Sequence, residues 1–102
     1  MSTGKKKRLL TDGEMERAAL LFRLLGEPMR LRILQAVCAG PRTVSQIVEA
    51  AGATQANVSK HLSLLAGARI LARRKEGQRV YYAMLDPLVT KLCALVHNHL
   101  AP

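Results

Sequence analysis

The segment at residues 43–65 most strongly limits what this chain can fold into, because it has the pattern of two short helices separated by a tight turn. Thr43 and Gln46 have the spacing of a capping box, in which each side chain bonds the backbone amide of the other at a helix start. Gly52 interrupts the first helix, and Thr54 is suited to cap the second. Two short helices joined by a glycine-containing turn indicate a helix-turn-helix.

The rest of the chain supplies three more helices and a β-hairpin. Thr11 and Glu14 form another capping box, and Pro28 and Pro87 suit the first turn of a helix because proline there loses no hydrogen bond. The predicted helices span about 12–25, 28–39, 43–50, 55–65 and 87–100. Between the fourth and fifth, segments 70–75 and 79–85 have strand length and flank a turn centred on Gly77. We predict a fold that is mainly α with a small β-hairpin, made of four helices, two strands and a fifth helix.

Length and composition favour one globular domain without a membrane span. The chain has 102 residues, 49% of them hydrophobic, which argues against disorder. The longest stretch without Lys, Arg, Asp or Glu is 92–102, shorter than the roughly 18 residues that a membrane span needs. The basic run at 5–8 lacks the hydrophobic region of a signal peptide. We expect a flexible basic arm at 1–10, a domain at 11–102 and a cytoplasmic location.

The charge balance points to a nucleic-acid partner. Sixteen Lys and Arg against seven Asp and Glu give a formal charge of +9. This surplus repels itself in the folded state, so it is best explained by a polyanion. Between Lys60 and Arg79 there are six basic residues and one acidic residue. The charge is therefore concentrated on the second helix of the helix-turn-helix and on the hairpin.

The second helix of the helix-turn-helix has one apolar and one polar face. Val58, Leu62 and Leu65 share the apolar face, and the opposite face is small and polar. Short hydrogen-bonding side chains near a helix start are suited to reach base edges in the major groove of DNA. The outward-facing residues are Ala56, Asn57, Ser59, Lys60 and Ser63.

From about residue 22 to residue 100 the chain resembles the ArsR/SmtB family of bacterial repressors. The matching segments are 25–34 (LGEPMRLRIL), 57–62 (NVSKHL) with Leu65, and 76–82 (EGQRVYY). The resemblance implies a winged helix-turn-helix homodimer, held by the first and last helices, that binds an inverted-repeat operator in double-stranded DNA and leaves it when an inducer is sensed. A twofold pair would place two recognition helices one DNA turn, roughly 34 Å, apart.

The resemblance also assigns DNA contacts to the recognition helix and the wing. Gln55 and Ser59 are suited to read base edges, whereas the cations neutralise phosphates. His61 lies at the flank of the apolar stripe, and a packing or hydrogen-bonding role for it is as well supported as a DNA contact. The predicted DNA-binding residues are Gln55, Asn57, Ser59, Lys60, His61, Arg74, Lys75, Gln78 and Arg79.

The metal sites of the family are incomplete in this chain. One family site uses two cysteines where this sequence has Thr43 and Ser45, and hydroxyls do not replace thiolates for soft metals. A second site, on the last helix, retains two of its four positions, Asp86 and His99. We therefore predict no metal site and no cofactor, and expect Asp86 to cap the last helix.

Cys38 and Cys93 are the remaining candidates for inducer chemistry. Some family members sense reactive sulfur or oxidants with one cysteine on the second helix and one on the last, and these two cysteines lie on those helices. His97, four residues after Cys93, is suited to favour a reactive thiolate. The alternative is that both are inert core cysteines, since free cysteine is commonly buried and the second helix is apolar on both sides.

The leading interpretation is a dimeric repressor released by thiol chemistry. Alternatives are a metal- or arsenite-responsive repressor and a winged-helix regulator without an inducer site. A protein-interaction adaptor would show no DNA sequence preference and is disfavoured by the basic hairpin. An enzyme is not expected, because Cys93 and His97 lack an orienting third group and an oxyanion site.

Overall fold

The computed structural model describes residues 9–102 and confirms the predicted winged helix-turn-helix architecture. Residues 1–8 of the predicted flexible basic arm lie outside the described residues, and Leu9 and Leu10 are exposed. In chain order the elements are α1 (Asp12–Leu25), α2 (Pro28–Val37), β1 (Arg42–Thr43), α3 (Val44–Ala51), α4 (Gln55–Gly67), β2 (Leu71–Glu76), β3 (Arg79–Met84) and α5 (Pro87–Leu100).

Local hydrogen bonds set the predicted helix starts. The Thr11 amide donates to Oε1 of Glu14 at 2.9 Å, and the Glu14 amide donates to Oγ1 of Thr11 at 3.2 Å. Thr43 and Gln46 make the same pair of bonds at the start of α3, at 3.2 and 2.9 Å. Both capping boxes are therefore confirmed. Gly52 ends α3 in the left-handed conformation, with φ +68°, as a helix-turn-helix turn requires.

The core is formed where α2, α3, α4 and the sheet meet. Val58, Leu62 and Leu65 are buried, which confirms the inward face predicted for α4. The buried hydrophobic residues are Ile33, Leu34, Val37, Ile47, Ala51, Val58, Leu62, Leu65, Ile70, Leu71, Tyr82 and Val89. This single core holds the recognition helix α4 by one face and leaves its other face available.

The sheet has one strand more than the predicted hairpin. It is antiparallel with the order β1-β3-β2, and β1 pairs Arg42 with Tyr82 and Thr43 with Tyr81. A two-residue strand shows no alternation of apolar and polar residues, and Thr43 also caps α3, so the sequence pattern does not reveal it. The strand anchors the start of the helix-turn-helix to the wing.

The second helix is less buried than expected. Its apolar residues on all sides predicted a central buried helix extending to about residue 39, yet Leu31 and Cys38 are exposed and the helix ends at Val37. The Cys38 amide bonds the Gln35 carbonyl, a tighter i to i−3 bond that closes the last turn. One side of α2 therefore lies at the surface of the single chain.

The terminal helices bury little in a single chain. None of the residues of α1 is buried, and of α5 only Val89 is buried, both within the described range. Their exposed large apolar residues are Met15, Leu20, Phe22, Leu88, Leu95, Val96 and Leu100. Exposed apolar area of this size on two helices favours an interaction with a partner. Within residues 9–102, every helix is too short or too polar to cross a membrane.

The carboxyl end of α4 stores backbone strain at Arg69. The Ile70 amide bonds the Leu65 carbonyl and the Arg69 amide bonds the Ala66 carbonyl, which is the Schellman arrangement. This places Arg69 at φ +62°, the left-handed position that glycine usually occupies. The helix therefore runs to Gly67 rather than ending at Leu65, because Arg69 supplies the left-handed turn.

Replacing Arg69 with glycine is expected to stabilise the fold. The Cβ of an L-residue in the left-handed conformation costs roughly 1–2 kcal/mol, partly offset by the greater backbone entropy that glycine loses on folding. Relative to Arg69→Ala, Arg69→Gly should raise the free energy of unfolding by about 0.5–1 kcal/mol. Urea unfolding at a fixed protein concentration measures this difference. Equal stabilities of the two variants would contradict the assignment of strain.

Candidate nucleic-acid interface and thiol groove

The recognition helix α4 presents its predicted polar residues outward. Thr54 caps it by accepting from the Asn57 amide at 3.2 Å. Gln55 and Lys60 are exposed, and Asn57 and Ser59 are partly exposed. All four side chains are at least partly accessible, so each is available to a groove of DNA laid against α4.

His61 is placed in the interior rather than on the polar face. Its exposure is 7%, and among residues 9–102 it is the one polar side chain that is buried. Arg30 Nε donates to its Nδ1 at 3.1 Å. Of the two roles considered for His61, the geometry supports hydrogen bonding within the core, where the ring is almost fully buried. Sequence reasoning missed Arg30, whose partner lies 31 residues away along the chain.

The wing distributes its cations over both faces of the hairpin. Cross-strand pairing places Lys75 opposite Val80, Arg74 opposite Tyr81 and Glu76 opposite Arg79. Because side chains alternate along a strand, Lys75 lies on one face and Arg74 and Arg79 on the other. The predicted wing residues are all exposed, but they do not form one flat surface.

Arg74 is already engaged by its neighbours. Its Nε lies 2.8 Å from Oε2 of Glu76, and its guanidinium carbon lies 5.8 Å from the ring centroid of Tyr81. An exposed ion pair of this kind contributes little to stability, but it holds the guanidinium along the strand. Lys75 and Arg79 have no such contact among the described residues.

A cleft of about 500 Å³ separates the wing turn from the start of α3. Gln78 and Arg79 line it on the wing side, and Ser45 and Gln46 line it on the helix side. The first amides of a helix and an exposed guanidinium both favour an anion. The cleft therefore lies between the wing and the helix-turn-helix, with the cationic residue Arg79 in its lining.

Both cysteines lie in a second, larger groove between α2 and α5. Its volume is about 750 Å³, and its lining is mainly apolar. It is bounded by Phe22, Leu25, Gly26, Leu31, Leu34, Gln35, Cys38, Thr90, Leu92, Cys93, Ala94, Val96 and His97. Two thiols from helices far apart in sequence are thus brought to one cavity.

The two thiols differ in environment. Cys38 is exposed and Cys93 is half-buried, and neither forms a disulfide. The alternative of two inert cysteines sealed in the core is therefore wrong for Cys38. Burial raises the pKa of the Cys93 thiol above its ordinary value, and the negative charge of a Cys38 thiolate raises it further. This direction is opposite to the thiolate activation expected from His97.

The candidate metal ligands at the two ends of α5 are Asp86 at its start and His97 and His99 in its last turn. Asp86 Oδ1 accepts from the Leu88 amide at 3.0 Å, which confirms its role as the cap of α5. His97 and His99 are exposed in the last turn. Within the described range, no cluster of three or more His, Cys, Asp or Glu side chains is arranged to hold a metal ion.

Comparisons with known proteins agree with this geometry. The family model for "Bacterial regulatory protein, arsR family" matches residues 27–73. A probable mercury resistance operon repressor of Streptomyces lividans is 40% identical over 77 residues, covering 76% of this chain and 62% of the relative. An HTH-type transcriptional regulator of Methanocaldococcus jannaschii is 35% identical over 82 residues, covering 79% of this chain and 92% of the relative. The chain thus spans less than two thirds of the length of the Streptomyces relative.

Among solved structures, the homodimeric winged helix-turn-helix DNA-binding domain of a Mycobacterium bovis protein superposes with a TM-score of 0.77 at 29% identity. The match covers 89% of this chain and 87% of that one. These similar proteins are named as regulators of transcription, which confirms the expectation that the chain is not an enzyme.

The alkylation of Cys93 is expected to depend on Cys38. Since only the thiolate reacts, a raised pKa shifts the reaction of Cys93 with iodoacetamide to higher pH than that of free cysteine. In Cys38→Ser the charge of the Cys38 thiolate is lost, so the pH midpoint of Cys93 alkylation should move to lower pH. It should stay above the midpoint of free cysteine, because burial still raises the pKa. Peptide mass spectrometry after alkylation at a series of pH values follows each thiol.

Thr90→Ser is the matched control, because Thr90 lines the same groove and carries no charge. It should leave the Cys93 midpoint in place. A midpoint that Cys38→Ser does not change would show that the two thiols do not interact.

Proposed function

The chain belongs to the arsR family of bacterial regulatory proteins, and we propose that it is a homodimeric transcriptional repressor that acts in the cytoplasm. It binds an inverted-repeat operator in double-stranded DNA and is released when an inducer reacts in the groove between α2 and α5. The observation that carries the DNA-binding part is the exposed polar face of α4 beside a cationic wing.

The DNA interface divides into reading and anchoring groups. Gln55, Asn57 and Ser59 near the start of α4 supply hydrogen bonds to base edges in the major groove. Lys60, Lys75 and Arg79 neutralise phosphates and set affinity without selecting a sequence. The cleft between Ser45 and Arg79 provides a further place for a backbone phosphate.

The homodimer is supported by the apolar surfaces of the terminal helices. Phe22 on α1 is 62% exposed and Leu95 on α5 is 66% exposed in the single chain. A twofold pair that covers these faces removes the apolar area from water. The homodimeric Mycobacterium bovis domain has the same fold.

The inducer is proposed to be a reactive sulfur species that bridges Cys38 and Cys93. With hydrogen disulfide as the simplest oxidant, the Cys38 thiolate attacks one sulfur and releases hydrosulfide, which leaves a persulfide on Cys38. The Cys93 thiolate then attacks the Cys38 sulfur and releases a second hydrosulfide, which forms the disulfide. Longer polysulfides leave additional sulfur atoms in the bridge. A bridge joins α2 to α5, so it changes the packing of a proposed dimer helix.

A metal or metalloid inducer is the second candidate. The Streptomyces relative is named a probable mercury resistance operon repressor, and two thiolates are suited to a soft ion such as Hg²⁺ or to arsenite. The same two cysteines would then be ligands rather than redox groups. Spectra of the protein with Hg²⁺ or arsenite distinguish this case, since no disulfide forms and hydrosulfide is not released.

Lys60 is expected to contribute to DNA affinity through charge alone. Lys60→Met should weaken binding to all duplexes and reduce the salt dependence of binding by about one phosphate contact. Fluorescence anisotropy with a labelled duplex at several KCl concentrations gives both quantities. The matched control is Lys91→Met, which removes an exposed lysine from α5, outside the proposed interface. An equal effect of both substitutions would contradict the proposed DNA face.

Cys38→Ser and Cys93→Ser are expected to bind DNA as the wild type does but to lose the response to inducer. Wild-type protein treated with sodium polysulfide should lose operator affinity and regain it with dithiothreitol, because reduction opens the bridge. Anisotropy before and after treatment measures the response. A wild-type response that persists in both variants would rule out thiol sensing while leaving the repressor function intact. No response of the wild type to polysulfide, Hg²⁺ or arsenite would favour a regulator without an inducer site in this groove.

A further inference from the structure

Arg30 lies where three helices of the described chain meet. From the first turn of α2, its Nε donates to Nδ1 of His61 on α4 at 3.1 Å. Its Nη1 donates to the Leu24 carbonyl near the end of α1 at 3.3 Å. Its own amide donates to Oε1 of Glu27, the cap of α2, at 2.9 Å. One guanidinium therefore ties the end of α1 and the recognition helix to the start of α2.

The bond to His61 adds a directional contact to the apolar packing of α4. The inner face of α4 packs through Val58, Leu62 and Leu65, and apolar packing of this kind is not directional. His61 shares that side of the helix, is almost fully buried and accepts a hydrogen bond at a defined atom. Arginine keeps its proton in proteins, so the donor is always present. The hydrogen bond therefore acts together with the buried apolar face to fix the rotation of α4 about its own axis.

We propose that Arg30 is a positioning residue for operator recognition, which acts through His61 to set the orientation of α4 without touching DNA. This inference rests on the proposed function in DNA binding. The same guanidinium also bonds the Leu24 carbonyl of α1, a helix of the proposed dimer interface. Arg30 therefore links the orientation of α4 to α1. The proposed dimer in turn sets the spacing of the two recognition helices.

The test separates recognition of sequence from attraction to DNA. The probes are the duplex that wild-type protein selects from a randomised library and a scrambled duplex of the same base composition. Arg30→Leu and His61→Leu should bind the selected duplex about tenfold or more weakly than the wild type. Their affinity for the scrambled duplex should stay close to that of the control variant Arg32→Leu. A misdirected helix loses base contacts, whereas phosphate attraction survives.

Two further variants make the result specific to the hydrogen bond. Asparagine can place an amide oxygen near the position of histidine Nδ1, so His61→Asn should retain most of the affinity for the selected duplex. Arg32→Leu removes an exposed arginine from the same helix and controls for the loss of charge in Arg30→Leu. If the two residues act as one unit, the double variant should lose no more affinity than either leucine variant alone.

The outcomes distinguish this inference from the proposed function. Failure of the wild type to select any duplex would refute DNA binding itself. Selection by the wild type together with unchanged affinity of Arg30→Leu and His61→Leu would overturn the positioning role alone. Circular dichroism and thermal unfolding complete the test, because an equal loss of affinity for both duplexes that parallels a loss of helix content would show a structural role only and would also overturn it.

Discussion

The apolar surface that α1 and α5 leave uncovered is the constraint on which the rest of the molecule depends. A chain of 102 residues has room for one modest core, and α2, α3, α4 and the sheet occupy it. The two terminal helices contribute one fully buried residue, Val89, and pack the partly buried Leu21, Leu24, Leu25 and Cys93 against its edge, while much of their leucine-rich surface stays exposed. Packing of the terminal helices against those of a second copy of the chain is the simplest way to remove this surface from water. Such a dimer would hold its two recognition helices at a fixed distance and orientation.

The groove between α2 and α5 that contains Cys38 and Cys93 adjoins that same surface. Phe22 and Val96 line the groove and are also among the exposed apolar residues of α1 and α5. The proposed bridge or bound ion between Cys38 and Cys93 would therefore act on the side chains that the proposed dimer needs. Small changes in such packing are transmitted because a packed interface resists continuous deformation. The Arg30 contacts offer a path from this region to α4.

Local chemistry in the sequence predicted most of the fold. The Thr11 and Thr43 capping boxes and the Asp86 cap are encoded within a few residues of the helix starts, so they can be recognised without the tertiary structure. The short strand β1 was not predicted, because Arg42 and Thr43 become a strand only through pairing with β3. Arg69 was not recognised as the left-handed residue, because glycine usually occupies that position.

The candidate sites were predictable only in part. The polar face of α4 follows from helical periodicity, which placed Lys60 and Ser63 correctly at the surface. The role of His61 depends on Arg30, a partner distant in sequence, and no local pattern indicates it. Because α2 is apolar on both sides, a buried and inert Cys38 was the alternative to a reactive one. Cys38 is exposed, since one side of α2 has no partner within the described chain.

Sedimentation equilibrium of the purified protein, alone and with a duplex containing its selected inverted repeat, measures whether the protein is a dimer in solution and on DNA. We expect a mass of twice 11.2 kDa for the free protein at micromolar concentration and two protomers on each duplex. A free mass of 11.2 kDa with one protomer bound per duplex would contradict this expectation.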